Sequence, residues 1–123
     1  MNSYGKELIL DLVECDPGTF TRPQIERFFI ELCEEIHMER HDLFWWDDEG
    51  LPPEECQTEP HLKGISAVQF IMTSSITIHT LEILRTVMLN VFSCKDFDED
   101  LVAVFARDWF SGQVGRCTVV MRG

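Results

Sequence analysis

Three apolar runs, residues 64–72, 75–80 and 86–93, follow one another with only short links between them. A parallel pair needs a crossover of about a dozen residues, so neighbours joined this tightly pair antiparallel. In the third run Val87, Leu89 and Val91 alternate with Met88, Asn90 and Phe92, the period of a strand with one buried face. The rest of the chain must be arranged around this meander. Residues 6–13 place Leu8, Leu10 and Leu12 on one face of a further strand. Thr21 with Gln24 reads as a capping box, and Pro23 falls in the first turn, where it is tolerated. Ile25, Phe28, Phe29, Leu32, Cys33 and Ile36 then recur at three and four residues, predicting an amphipathic helix to about Met38. Asp96 and Glu99 read as caps of a second helix, about 97–110, with Leu101, Phe105 and Trp109 on one side. "SGQVG" ends it and "RCTVVMR" reads as the last strand. The order β-α-β-β-β-α-β predicts an α+β two-layer sandwich, one domain over 1–123, with an antiparallel sheet and two helices on one face. The other face needs a cover, which predicts a homodimer.

Residues 45–63, "WWDDEGLPPEECQTEPHLK", carry three prolines and many acids without periodicity, and read as a long acidic loop. Loops of this length in small domains are often functional. Charge is divided unevenly: residues 1–62 hold 16 Asp/Glu against 4 Lys/Arg, and residues 63–123 hold 6 of each. A net −12 repels phosphate backbones and anionic lipid, which argues against nucleic acid and membrane as partners and favours a cationic ligand. No run approaches the roughly 18 apolar residues of a membrane span, and Met1 to Lys6 lack the pattern of a leader. Five cysteines, Cys15, Cys33, Cys56, Cys94 and Cys117, form no CxxC pair. That points to a reducing, cytoplasmic setting and away from a disulfide framework or a zinc site.

The stretch with the most chemistry is "MTSSITIHT", residues 72–80, where Thr73, Ser74 and Ser75 precede a strand that carries His79. Ser75 and His79 share a face at strand period and Ser74 does not, so spacing alone prefers Ser75 as the histidine's partner. A plain polar turn before a half-buried strand explains the same residues. Cys94, in "VFSCKD", reads as a small hydrophobe or as a proton donor beside Lys95. His37 and His41 have the spacing of a helical metal pair but no third ligand, so no metal site is expected. Trp45 and Trp46 read as loop anchors rather than a stacking platform.

Over nearly its whole length the chain resembles the small prokaryotic S-adenosylmethionine decarboxylases. "YGKELILDLVECDP" is similar to the family's first strand and Cys-Asp turn, "GISAVQFIMTSSITIHT" to its Glu-Ser-His-Leu-x-Ile-His-Thr region, and "LNVFSC" to Leu-Asp-Val-Phe-Thr-Cys. The interval of fifteen residues from His79 to Cys94 matches as well. The resemblance implies an enzyme that makes its own cofactor: a serine attacks the preceding carbonyl, the chain is cut, and the serine becomes a pyruvoyl group. It implies Ser74 as that serine, with cleavage at Thr73–Ser74. Ser66 and His79 fall on residues that assist cleavage, and Cys94 on the acid that reprotonates the substrate carbon.

Against the family pattern, Thr73 replaces a glutamate, Ser75 a histidine and Asn90 an aspartate, and Leu81, Glu82 and Ile83 stand where it has Trp-Pro-Glu. Glu82, one place early and turned to the other face at period two unless a bulge intervenes, is the expected substitute for the carboxylate that the resemblance implies holds the substrate ribose. The leading expectation is decarboxylation of S-adenosylmethionine for spermidine synthesis. Two other readings stay open: a homologue that does not self-cleave and binds a ligand or partner, and a decarboxylase of arginine or ornithine.

Overall fold

The computed structural model describes residues 3–123. Met1 and Asn2, part of the stretch read for a leader, lie outside them. The elements are β1 (Gly5–Val13), α1 (Arg22–Glu35), β2 (Arg40–Trp46), β3 (Gly64–Ile71), β4 (Ser74–Leu81), β5 (Thr86–Ser93), α2 (Glu99–Phe110) and β6 (Gln113–Arg122). The six strands form one antiparallel sheet in the order β2-β3-β4-β5-β1-β6, with both helices on one face. The chain is an α+β sandwich as expected, with the meander and central β1 paired as their periods require.

The alternating pattern sorts the two faces. Leu8, Leu10, Leu12, Ile76, Ile78, Val87, Leu89 and Val91 are buried under the helices. Ile25, Phe28, Phe29, Leu32 and Cys33 of α1 meet them. Phe28 is the hub of the helix layer, with its ring within 6 Å of Phe29, Phe105, Trp109 and Phe110. Thr21 caps α1 by accepting the Gln24 N–H, and Pro23 sits in the first turn.

Four expectations need correction. The chain has one more strand than expected: β2 occupies Arg40–Trp46, so the acidic loop begins after Trp46 rather than at Trp45. The aromatic, alternating "DLFWW" has strand propensity, but a one-residue-slipped hydrophobic pattern hid it. A register shift falls between Arg40 and Leu43, and buried Gln69 compensates there: its Nε2 donates to the His41 and Asp42 carbonyls while Arg40 Nε donates to its Oε1. Helix α1 ends at Glu35, not near Met38; His37 is left-handed, with φ 57°. Helix α2 is capped by Asp98, whose carboxylate accepts the Asp100 and Leu101 N–H groups, and Asp96 is not the cap. Its buried stripe is Val102, Ala106 and Phe110, with Leu101, Phe105 and Trp109 packed at the margin.

Candidate active site

Ile71 and Ser74 are paired across the β3–β4 hairpin, leaving Met72 and Thr73 as its two-residue loop. Thr73 has φ 52°, a left-handed conformation that β-branched side chains rarely adopt. Holding a residue there costs on the order of 1–3 kcal/mol. The strained residue is the one whose carbonyl precedes Ser74. The loop is tied down by Met72 N–H, which donates to the Glu39 carbonyl at 3.2 Å.

Ser74 points to the helix side, as do Ile76, Ile78 and Thr80, and is nearly buried. Cys94, just past β5, closes over it. Cys94 N–H donates to Ser74 Oγ at 3.1 Å, Ser74 Oγ lies 3.9 Å from Cys94 Sγ, and Thr73 Oγ1 lies 3.0 Å from the same sulfur. The Thr73 hydroxyl, then the Ser74 hydroxyl, hold the Cys94 thiol below its ordinary range against a small opposing effect of desolvation; the Tyr4 hydroxyl contributes less. Gly5 is required alongside, because a Cβ there would collide with the Ser93 carbonyl oxygen.

His79 and Ser66 form a second pair, on the open face. They are register partners on β4 and β3, and Ser66 Oγ lies 2.7 Å from His79 Nδ1. His79 and Ser75 do share a face, yet the histidine's partner is Ser66, because a cross-strand neighbour is about 5 Å away and a residue four along the strand roughly 13 Å. The pair borders a cleft of about 350 Å³ whose lining includes Trp46, His61, Leu62 and Met88. Trp46 is 83% exposed beside it, and Trp45 points to the helix side, where the Arg22 guanidinium lies 5.3 Å from its ring centre. Of the tryptophan pair, Trp45 anchors and Trp46 does not.

Glu82 follows β4 at the far end of the strand from Ser74. Its carboxylate lies 3.4 Å from Lys63 Nζ, at the rim of a cavity of about 670 Å³ that also holds the Arg22–Asp47 pair. Asp47 accepts two bonds from Arg22 at 2.7 Å, and that guanidinium holds its carboxyl below the usual carboxylate range. His37 and His41 are not on one helix: the first follows α1 and the second lies in β2. Among the described residues no three His, Cys, Asp or Glu side chains gather as metal ligands, and no helix is long and apolar enough to cross a membrane.

The structure therefore brings Ser74 and Cys94 together, and Ser66 and His79 together, but keeps the two pairs apart. Ser74 and His79 are five residues apart on one strand, roughly 16 Å, and on opposite faces. Glu82 is roughly 26 Å along from Ser74 by the same rise. Two contributors escaped the sequence. Thr73 touches the sulfur, and only a hydroxyl before a serine at a hairpin hinted at it. Tyr4 lies beside Cys94 without a recognisable motif.

An antiparallel sheet backed by two helices, with a hydroxyl after a strained hairpin residue and a thiol over it, defines an α+β sandwich with a hydroxyl–thiol pair at one sheet end. The chain belongs to the S-adenosylmethionine decarboxylase family, whose profile matches residues 6–123; these enzymes are carboxy-lyases. The adenosylmethionine decarboxylase from Aquifex aeolicus VF5 has a similar fold, with TM-score 0.77 and 15% identity over 100% of this chain and 93% of that one. No curated protein sequence matches it significantly.

Proposed function

We propose that this chain decarboxylates S-adenosylmethionine with a pyruvoyl group that it makes by cutting itself at Thr73–Ser74, in the service of spermidine synthesis in the cytoplasm. The observation that carries the reading is the hairpin: a left-handed Thr73 directly before a nearly buried Ser74, whose hydroxyl meets Cys94. Strain in the residue before the serine raises the energy of the amide that must be broken, so it favours attack by Ser74 Oγ on the Thr73 carbonyl carbon. The residues suit the group: residue 74 supplies its carbons, and Cys94 is held where a carbonyl at residue 74 would stand.

Once formed, the pyruvoyl group supplies a carbonyl that engages the substrate amine and takes up electrons as carbon dioxide leaves. The chain's own residues do the rest. Cys94 delivers a proton to the substrate carbon. The Ser66–His79 pair moves the proton that Ser74 loses on attack: Ser66 Oγ at 2.7 Å fixes Nδ1, which leaves Nε2 as the working nitrogen. From a second copy of the chain, Glu82 accepts the ribose hydroxyls, since within one chain it lies roughly 26 Å along from residue 74. A sulfonium substrate also suits a chain of net charge −12.

Ser74 and His79 serve one centre only when they come from two copies of the chain, since one strand holds them apart. The open face supports that assembly. Phe44, Trp46, Phe70 and Met88 are all exposed on it, and a second copy laid over them would bury an apolar patch that a monomer leaves wet. The chain folds as a single domain and works as a homodimer. Intact mass under denaturing conditions tests the reading. The expected result is a fragment ending at Thr73 and one beginning with pyruvoyl, with Ser74→Ala whole; a single uncut species after long incubation of the wild type overturns it. Binding of arginine or ornithine in place of S-adenosylmethionine would keep the chemistry and change the substrate.

A further inference from the structure

We propose that cutting the Thr73–Ser74 bond itself turns Cys94 into a proton-holding acid, because both residues flanking that bond touch its sulfur. The inference rests on the self-cleavage reading above. Before the cut, Cys94 Sγ has the Thr73 hydroxyl at 3.0 Å and the Ser74 hydroxyl at 3.9 Å; the Thr73 hydroxyl donates to the Met72 carbonyl at 2.8 Å while the sulfur is a thiol and can turn its proton to a thiolate. Hydrogen bonds to the charged form favour it, and the thiol is accordingly depressed, first by Thr73 and then by Ser74.

The cut changes both neighbours in the same direction. Ser74 Oγ bonds to the Thr73 carbonyl carbon as the C–N bond breaks, giving an ester. Elimination then removes the Ser74 α-proton and breaks the Cβ–Oγ bond, so Oγ departs as one oxygen of a Thr73 carboxylate. Water replaces the nitrogen of residue 74, which leaves as ammonia; nothing outside the chain is oxidised or reduced. Cys94 has lost one hydroxyl donor and gained a carboxylate on the residue already in contact with its sulfur. A like charge at that range disfavours the thiolate.

The new carboxylate cannot drift far. Met72, one residue before it, keeps its N–H on the Glu39 carbonyl, and Ile71 is still in β3. The nearby cations carry the same charge before and after the cut. Lys95 Nζ donates to the His37 carbonyl at 2.8 Å, and Lys6 is held by Asp96 and Glu99 at 2.7 and 2.6 Å. Tyr4 is the remaining titratable side chain that acts on Cys94, a lesser influence than Thr73 and Ser74, and its hydroxyl is unchanged by the cut. The sulfur of an unprocessed chain thus ionises more readily than an ordinary thiol, and that of the processed one holds its proton better.

The test is the rate of Cys94 alkylation by iodoacetamide against pH, in a Cys56→Ser/Cys117→Ser background, since Cys15 and Cys33 are buried. Mass spectrometry on the same samples reports cleavage. The comparison is between the processed chain, uncut Ser74→Ala, which has lost only the serine hydroxyl, and uncut His79→Ala, which keeps it. Reactivity at pH 7.5 should be highest in His79→Ala, lower in Ser74→Ala, and at least threefold lower again in the processed chain. The profile's midpoint should rise in that order. A processed chain whose Cys94 reacts as fast as that of Ser74→Ala, or faster, overturns this inference and leaves the self-cleavage reading standing. A wild type that never cuts overturns both.

Discussion

Thr73 Oγ1, in the turn that joins β3 to β4, stands 3.0 Å from the Sγ of Cys94, just past the end of β5. One residue therefore combines backbone strain, the carbonyl that the proposed self-cleavage attacks and a hydrogen bond to the thiol. Thr73→Gly relieves the strain, and Thr73→Ala, which loses the same hydroxyl but keeps a Cβ, is its control. Glycine adopts the left-handed conformation freely, so the variant should melt at a higher temperature, with a gain of about 1 kcal/mol. Releasing that strain should slow self-cleavage about fivefold, since 1.4 kcal/mol corresponds to a factor of ten. Thermal melting of an uncut Ser74→Ala background and timed mass spectra of the cutting chain measure the two effects. Unchanged cleavage in a more stable chain would remove strain from the mechanism.

The separation of Ser74 from His79 along β4 predicts complementation. Neither Ser74→Ala nor His79→Ala should cut at an appreciable rate alone. Mixed and allowed to exchange subunits, they form a dimer in which one centre has both residues, and His79→Ala chains should then be cut. Cleavage products absent from the mixture, with exchange shown by a mass tag, would mean that the two residues do not meet across copies.

Cys94→Ala should still cut itself yet turn over poorly, because in the proposed reaction cleavage uses Ser74 and reprotonation uses the thiol. Cys94 is partly exposed, so the loss of stability should be no more than about 1 kcal/mol. Activity equal to wild type in the folded, processed variant would take Cys94 out of the site.

Glu82→Gln should weaken S-adenosylmethionine about ten- to a hundredfold by calorimetry if the carboxylate holds the ribose, since a hydrogen bond to a charged group is worth roughly 1.5–3 kcal/mol. The same change frees Lys63, whose exposed ion pair contributes little to stability, so the melting temperature should hardly move. Unaltered affinity would assign the ribose to another acceptor.

The Arg22–Asp47 pair predicts acid lability. Asp47 is nearly buried and its folded carboxyl is depressed, chiefly by the Arg22 hydrogen bonds. Its contribution is complete above the unfolded value near pH 4 and is lost as pH falls through the lower, folded value. Asp47→Asn should cost about 1–2 kcal/mol at pH 7, discounted because Arg22 is a third exposed, and should flatten the stability curve below pH 4. Denaturant melts across pH 2–7 measure both; parallel curves for the two proteins would exclude the pair as a source of the acid limb.

What the sequence determined by itself was local. Alternation at period two set the buried faces of β1, β4 and β5, and recurrence at three and four set the face of α1, because side-chain direction follows from backbone geometry within a few residues. The short links made the meander antiparallel. Tertiary structure decided what depends on register between distant segments. Strand β2 exists because β3 offers it an edge, and Gln69 satisfies the carbonyls of its shifted register. His79 takes Ser66 rather than Ser75 because pairing across strands is nearer than spacing along one. The helix-side position of Ser74 under Cys94, and its distance from His79, also follow from the hairpin and the end of β5 meeting at one end of the sheet. A linear pattern carries residue types and their order, but the contacts among residues twenty apart form only when the sheet closes.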